Sequence, residues 1–395
     1  MGLVLVGLTT LVVAMGVTWI VTPGVILLAQ RLGAVDRPGV RKVHQTPIPR
    51  IGGLAVFLGF IAGLVFAAFA TGNLFSLGQV DFYWRGLALA ATGLLLVGLV
   101  DDLRGLSFKS KFLAQIVAAT FVFYCGFRIE TITHPLGGQL DLGWASFPAT
   151  VFWIVGITNA VNLIDGLDGL AAGTALITTS AVAVIALFRG ELGVTAASVA
   201  LAGSLIGFLR FNFNPARIFL GDSGSLFLGF VLGVTSVRGS QKGPTVVAVL
   251  FPLLVLALPL LDTGLAVIRR LMRVGNQGRS SDNKLLYMAR NLNMVFLPDR
   301  GHIHHRLIDY GMSHRGAVLC LWAFGATFAG LAFILVLSKS LWVGLVLALA
   351  LLAALASLAI ATFLRLRRTR SEESAQAPLG AAVESLSASG TRLRR

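Results

Sequence analysis

The chain has 395 residues, of which 56% are hydrophobic and only 12% are charged. Soluble domains carry about a quarter of charged residues, so this composition excludes an ordinary water-soluble domain and predicts an all-α, polytopic integral membrane protein. The net charge of +15 would suggest nucleic-acid binding in a soluble protein, but here the basic residues fall in connectors between apolar runs, and we expect no nucleic-acid partner.

Apolar runs follow one another along most of the chain. A helix needs about 20 mostly apolar residues to cross the hydrocarbon core, and these runs predict eleven spans. They are 3–29, 52–70, 84–100, 110–126, 148–164, 169–187, 194–210, 223–236, 244–263, 316–337 and 341–363. We therefore expect one multi-span domain over 1–363 and a basic, disordered tail over 364–395.

The basic residues fix the predicted orientation. If the N-terminus lies outside, 26 of the 32 Lys and Arg residues fall on the inner side, and the positive-inside rule then places the C-terminus in the cytoplasm. Between the fourth and fifth spans, residues Arg128 to Phe147 alternate apolar and polar around two glycines. This alternation predicts a small β-hairpin on the outer surface.

The first two inner loops carry charged groups next to the membrane. Lys42 and His44 lie in a first loop that is stiffened by prolines and followed by paired glycines. Asp101 and Asp102 end the third span, and adjacent carboxylates repel each other unless a divalent cation or a basic neighbour relieves them. Three residues could be that neighbour: Arg104, Lys109 and Lys111.

The fifth span ends in a run of amides and carboxylates. A spacing of three places Asn159, Asn162 and Asp165 within about 120° of one helix face. Gly166 and Gly169 then allow the chain to break and fold closely around a ligand. This bend can carry Asp168 to the same place, and the whole run suits a hydroxyl-rich ligand or its metal.

The segment Asn212 to Ser225 enters the eighth span. Asp222 stands at the entry between Gly221 and Gly224, which permit close backbone approach. Phe219 could offer a stacking face for a nucleotide base, although a membrane-facing aromatic is equally consistent with its position.

The largest inner loop, 264–315, ends in a cluster of histidines and arginines. His302, His304, His305 and Arg306 favour phosphate binding over zinc, because no Cys and no fourth ligand lie nearby. Six carboxylates also fall at predicted inner span ends, where ionisable groups are expensive unless they line a polar cavity or bind something. They are Asp101, Asp102, Asp165, Asp168, Asp222 and Asp262. A single one could still be a helix cap or an Arg partner.

A basic rim around an acidic, glycine-framed floor predicts a reaction between two phosphates bridged by Mg²⁺, with Mn²⁺ as a substitute. The motifs resemble the polyprenyl-phosphate N-acetylhexosamine-1-phosphate transferase family, or glycosyltransferase family 4. This resemblance implies that undecaprenyl phosphate attacks the β-phosphate of a UDP-N-acetyl sugar and releases UMP at the cytoplasmic face of the inner (plasma) membrane. A homodimer is compatible with it.

The resemblance also implies residue roles. Asp222 resembles the metal ligand, with Asp101 and Asp102 beside it as further metal ligands or catalytic groups. The other catalytic candidates are Asp165, His302, His304 and His305, and the substrate-binding candidates are Lys42, His44, Asn159, Asn162, Asp168, Asn212, Phe219 and Arg306. Among the latter, Asp168, Asn212 and Phe219 look like uridine-binding residues.

Other readings stay open at this point. The His-Ile-His-His-Arg-Leu form resembles the N-acetylglucosamine branch of the family more than the pentapeptide branch, which implies UDP-N-acetylglucosamine as donor. The stretch 275–297 is longer than expected for that branch and leaves the sugar open, with a phospho-N-acetylmuramoyl-pentapeptide transferase as the alternative. A membrane transporter is the rival from another class. A transporter would place its ionisable groups near the bilayer midplane in broken helices, whereas here they cluster at one predicted surface.

Overall fold

The computed structural model describes residues 2–37, 46–72, 82–133, 139–240, 253, 256–265, 303–338, 342, 346 and 349. The helices are α1 Leu3–Leu32, α2 Gly52–Ala70, α3 Phe82–Arg104, α4 Phe108–Tyr124, α5 Ser146–Ile164, α6 Leu170–Phe188, α7 Leu192–Asn212, α8 Gly221–Ser240, α9 Ile303–Asp309 and α10 His314–Ser338. Residues 257–265 are also helical.

Two short antiparallel pairs accompany the helices. β1, Val35–Asp36, pairs with β2, Ile48–Pro49, in the first loop. β3, Thr131–Thr133, pairs with β4, Gln139–Asp141, in the register Thr131 to Asp141. The second pair lies inside the stretch for which the sequence predicts a hairpin, and the predicted pairing is therefore confirmed.

Seven helices in the described part of the chain are long and apolar enough to cross a bilayer. They are Leu3–Leu32, Gly52–Ala70, Tyr83–Arg104, Gly143–Ile164, Leu170–Phe188, Leu192–Asn212 and His314–Ile334. Gly221–Val237 is a shorter apolar helix, and α4 has 17 residues. The polytopic helical class is confirmed, whereas eleven spans and the orientation stay predictions. The predicted spans 244–263 and 341–363 lie largely outside the described residues.

Small residues let the helices approach closely. A Cβ atom added to Gly59 of α2 would clash with Thr18 of α1, and one on Gly203 of α7 would meet the backbone oxygen of Leu11 in α1. Small residues at helix interfaces are typical of membrane bundles, where packing of side chains replaces the hydrophobic effect between helices. They bring α1, α2 and α7 into one tight group.

α8 is the central helix of the bundle. Every residue from Ser223 to Val237 is buried, and α8 packs against α2, α3, α5 and α6. At its first turn, Gly224 touches Gly53 of α2, and a Cβ atom on Gly98 of α3 would meet the backbone of Ser223. This close packing fixes the position of the α8 N-terminus, on which the candidate site is built.

The chain divides into two compact units, Met1–Leu341 and Trp342–Arg395. The candidate site lies entirely in the first unit. Of the second unit the structure describes residues 342, 346 and 349, which are helical, and the predicted tail 364–395 lies outside the described residues.

Candidate active site

Asp102 anchors the N-terminus of α8. It is buried, with 4% of its surface exposed, and its two carboxylate oxygens accept the backbone N–H groups of Asp222 and Ser223, each at 3.0 Å. The first N–H groups of a helix have no partner within it, and a negative charge at that end is favourable. Asp102 therefore caps α8 from a neighbouring helix and holds Asp222 in place.

The loop before α2 closes over the same helix end. The Nε of Arg50 donates to the backbone oxygen of Asp102 at 2.8 Å, and its Nη2 donates to the same oxygen. Gly221 has φ 73°, and a Cβ atom there would meet the backbone oxygen of Arg50. Both the backbone conformation and the close approach therefore require glycine at this position. Arg50 is a residue whose role the sequence did not reveal.

Asp101 points to a different partner. The ammonium of Lys111, in the first turns of α4, lies 2.9 Å from Asp101 Oδ2 and 2.6 Å from Asp222 Oδ2. The other oxygen of Asp101 accepts the backbone N–H of Leu106. Two carboxylates from α3 and α8 thus converge on one cationic group, and Lys111 is the basic neighbour among the three that the sequence offered.

Asn162 completes this cluster from α5. Its amide nitrogen donates to Asp222 Oδ1 at 2.8 Å and lies 2.7 Å from Ser225 Oγ. Asn159, one turn earlier, instead donates to Gln115 Oε1 of α4 at 2.5 Å. The structure therefore brings Asn162 to the carboxylates and gives Asn159 a separate partner that joins α5 to α4.

Asp165 follows the last residue of α5 and lies near other acidic side chains of the site. Burial, together with the charges of Asp222, Asp102 and Asp168, raises the pKa of Asp165 to about 8. A carboxyl group in this environment holds a proton at neutral pH unless a cation joins the site. A bound cation would therefore relieve the repulsion among these carboxylates.

Asp168 belongs to a neighbouring group of contacts. Its Oδ2 accepts the side-chain N–H of Asn214 at 2.9 Å and the backbone N–H of Ala216 at 3.0 Å. Its own backbone N–H donates to Nε2 of His314, at the start of α10, at 3.0 Å. Asp168 thus ties the α5–α6 turn to the α7–α8 loop and to α10. No sequence pattern identifies Asn214 or His314 as site residues.

The segment before α8 is held mainly through its backbone. Asn212 is buried, and its amide donates to the backbone oxygen of Ile218 at 2.9 Å. Phe219 exchanges backbone hydrogen bonds with the first loop, donating to Pro49 at 2.7 Å and accepting from Gly52 at 3.0 Å. Asn212 therefore stabilises the α7–α8 loop from within, and Phe219 joins this loop to the segment that precedes α2.

The remaining predicted residues are only partly described. Lys42, His44 and His302 lie outside the described residues, and of His304 and His305 the structure describes the backbone, in α9. Arg306 is exposed. Asp262 is separate from the acids around Lys111: it is buried, and its Oδ1 accepts the backbone N–H of Ile303 at 2.7 Å, at the start of α9.

The donor set suits a hard cation. Asp101 and Asp222 supply oxygen atoms that already face one positive charge, and Mg²⁺ prefers one or two carboxylates together with waters and substrate phosphates. Within the described ranges no three acidic or histidine side chains form a ready metal cluster. The arrangement therefore fits a magnesium ion whose shell is completed by a phosphate-bearing ligand.

The chain is similar to known transferases. Residues 84–240 match glycosyl transferase family 4. The chain is 38% identical over 327 residues, 82% of this chain and 84% of the relative, to a Bacillus subtilis (strain 168) protein named probable undecaprenyl-phosphate N-acetylglucosaminyl 1-phosphate transferase.

Two further relatives carry related names. A decaprenyl-phosphate N-acetylglucosaminephosphotransferase of Mycobacterium tuberculosis (strain ATCC 25618 / H37Rv) is 38% identical over 357 residues, 82% of this chain and 81% of the relative. A phospho-N-acetylmuramoyl-pentapeptide-transferase of Halalkalibacterium halodurans is 31% identical over 342 residues, covering 82% and 96% of the two chains. All three matches extend over most of both chains.

Proposed function

Since the chain belongs to glycosyl transferase family 4, we propose that it transfers N-acetylglucosamine-1-phosphate from UDP-N-acetylglucosamine to undecaprenyl phosphate. An oxygen of the lipid phosphate forms a bond to the β-phosphorus of the donor, and the bond from that phosphorus to the bridging oxygen breaks, so that UMP leaves. The product is a lipid diphosphate sugar, and the reaction is a first membrane step of cell-envelope glycan synthesis.

The observation that carries the proposal is the cation bridge between α3 and α8. Lys111 joins the carboxylates of Asp101 and Asp222 at one end of the bundle. A reaction between a lipid phosphate and a diphosphate brings several negative charges together, so its site must supply positive charge at a fixed point. Two carboxylates that hold a cation between them provide that point.

We propose Mg²⁺ as the cofactor, with Mn²⁺ as a substitute. When bound, the metal neutralises the diphosphate and polarises its oxygens. Asp222 and Asp101 would hold it, because their Oδ2 atoms already converge. Asn162 keeps Asp222 aimed by donating to its other oxygen, and Asp102 fixes the backbone that carries Asp222.

The contacts around Asp168 support a nucleotide-binding site in this part of the structure. One of its oxygens is used by Asn214 and Ala216, and this anchoring fixes the direction of the carboxylate. Asn212 and Phe219 belong to the same α7–α8 segment, directly before Asp222. We propose that this segment holds the uridine while Asp222 stands near the diphosphate.

The surroundings of Asp101 suit a lipid substrate. Val100 and Leu103 of α3 and Phe108 and Leu113 of α4 are exposed apolar residues close to it in sequence. Such residues face the acyl chains when a helix spans a bilayer. A polyprenyl chain in the membrane could therefore bring its phosphate to the site from the side. From the asymmetric distribution of Lys and Arg residues between the two predicted sides of the membrane, we propose that the protein lies in the inner membrane with the site on the cytoplasmic face.

The choice of donor rests on the relatives. Those named for N-acetylglucosamine are 38% identical to the chain, and the pentapeptide transferase above is 31% identical. This difference favours UDP-N-acetylglucosamine. The pentapeptide donor remains the second candidate because that relative is matched over 96% of its length.

A reconstitution with purified components tests the proposal. The protein in detergent micelles is incubated with undecaprenyl phosphate, Mg²⁺ and either UDP-N-acetylglucosamine or UDP-N-acetylmuramoyl-pentapeptide, and lipid products are identified by mass spectrometry. We expect UMP and an N-acetylglucosamine lipid diphosphate with the first donor only. Product formed solely from the pentapeptide donor would favour the second candidate. In a parallel assay with the protein in proteoliposomes, uptake of the sugar nucleotide without any lipid product would indicate a transporter.

A further inference from the structure

Lys111 occupies the position between Asp101 and Asp222 that a metal ion would take. We propose that Lys111 is an internal counter-cation: its ammonium holds the two carboxylates together in the metal-free protein and is displaced when a divalent cation binds. This inference rests on the proposed magnesium dependence, which the experiments below test separately. It assigns to the lysine the role of setting how tightly the metal is held.

The contacts define which oxygens are in competition. The ammonium of Lys111 takes the Oδ2 atom of both Asp101 and Asp222. The Oδ1 atoms are used elsewhere, by the backbone N–H of Leu106 and by the amide of Asn162. The two Oδ2 atoms are the ones that converge, so a metal ion bridging the two carboxylates at that point would bind the same two oxygens that the ammonium contacts.

Sharing these oxygens between both cations is unfavourable. Magnesium approaches its oxygen ligands to about 2.0–2.1 Å, and a dication at that distance would lie almost in contact with an ammonium bound to the same atoms. The side chains are shielded enough for the repulsion to be felt, since Lys111 is 21% exposed and Asp101 10% exposed. Partly buried charges are screened by salt much less than surface charges.

The lysine can leave without unfolding the site. Its charge stands at the end of a flexible four-carbon stem, and α4 itself is held independently through the contact between Gln115 and Asn159. Displacement therefore needs a change of side-chain rotamer only. By linkage, the metal and the lysine oppose each other, so that removing the lysine should tighten metal binding.

Lys109 provides a matched control. It lies two residues earlier on the same helix, carries the same charge and is exposed. If the effect of Lys111 were only the general field of a nearby positive charge, neutralising Lys109 would tighten metal binding in a similar way. A competition for the same two oxygens predicts a large effect at Lys111 alone.

The first experiment measures Mn²⁺ binding by electron paramagnetic resonance, without any substrate, for wild type, Lys111→Gln and Lys109→Gln. We expect Lys111→Gln to bind Mn²⁺ about tenfold more tightly, within the usual range of coupling between two opposed ligands, and Lys109→Gln to stay near wild type. Unchanged or weaker binding by Lys111→Gln overturns the inference and leaves the proposed function standing. Failure of all three proteins to bind Mn²⁺ overturns the inference, and the magnesium dependence of transfer is then decided separately by initial rates with and without Mg²⁺ in the presence of both substrates.

The second experiment uses the wild-type chain and does not depend on the folding of a variant. An amine-reactive reagent labels the protein with and without Mg²⁺, and peptide mass spectrometry reports the labelling of Lys111, with Lys109 as the internal reference. Displacement predicts that labelling of Lys111 rises severalfold when Mg²⁺ is added while Lys109 changes little. Constant or reduced labelling of Lys111 shows that its ammonium stays in place, and overturns the inference.

Discussion

Two Asp→Asn substitutions in the same cluster should have different consequences. Asp222 contacts Lys111 at 2.6 Å and Asn162 at 2.8 Å through its two oxygens. Asp222→Asn conserves the shape of the side chain but removes the charge that retains a hard cation. Losing Lewis-acid stabilisation of several kcal/mol, taken as about 4 kcal/mol, slows transfer by about 10³-fold. We expect no comparable loss of thermal stability.

Asp102→Asn should show its effect in stability as well. Both oxygens of Asp102 accept buried backbone N–H groups at 3.0 Å, and an amide can replace only one of the two acceptors. The other N–H then faces an NH₂ group and loses its partner, which costs about 1–3 kcal/mol. The melting temperature should fall by several degrees, and transfer should fall because the start of α8 is no longer fixed.

The assay combines initial rates across a Mg²⁺ titration with melting curves of the same preparations. Asp141→Asn serves as the control, because the carboxylate of Asp141, the last residue of β4, accepts the backbone N–H of Gly143 at 2.9 Å, outside the cluster. An Asp222→Asn protein that melts normally and keeps the wild-type rate and magnesium requirement would refute the assignment. A wild-type melting curve for Asp102→Asn would show that its contacts to α8 contribute little.

Three further predictions concern topology, the histidine cluster and pH. Cysteines placed at Leu136 and Ser280 should react with membrane-impermeant reagents from opposite sides of the membrane, and labelling from one side would contradict the orientation. His302→Ala and His305→Ala should strongly reduce turnover of the sugar nucleotide in a folded protein, whereas stoichiometric zinc that is lost in these variants would favour a metal site. The pKa of Asp165 is raised to about 8, above about 3.9 in the unfolded chain, so the metal-free protein should lose stability as the pH rises between these values and level off above about 8. Asp165→Asn should flatten this dependence in melting experiments in EDTA, and an unchanged slope would contradict the shifted pKa.

The helices were largely predictable because they follow from apolar length. The predicted span 52–70 coincides with α2, and the predicted span 148–164 lies within α5, Ser146–Ile164. Short apolar runs that end in charged motifs carry enough local information to place a helix end within a few residues. The number of crossings does not follow in the same way, since it also depends on the runs 244–263 and 341–363.

The different roles of Asp101 and Asp102 could not be deduced from the fact that they are adjacent in the sequence. Successive residues on a helix point about 100° apart, so adjacent carboxylates at a helix end meet different neighbours. Which neighbour each one meets depends on how α3 packs against α4 and α8. In the structure Asp101 faces Lys111, whereas Asp102 faces the backbone of α8.

Long-range contacts set the other limit. The sequence predicts that Asn159 and Asn162 share a helix face, and it identifies both as polar residues near the site. Their different partners depend on the packing of α5 against α4 and α8. Asn159 donates to Gln115, and Asn162 donates to Asp222. Likewise, His314 is far from Asp168 along the chain, and no local pattern announces their contact.

The fate of the β-phosphate tests the central proposal most directly. Purified protein is given undecaprenyl phosphate, Mg²⁺ and UDP-N-acetylglucosamine labelled with ³²P at the β-phosphate only. Sugar-1-phosphate transfer predicts that the label enters the lipid product and that the released nucleotide is unlabelled UMP. Label that leaves as UDP while the sugar alone reaches the lipid would contradict the proposed reaction.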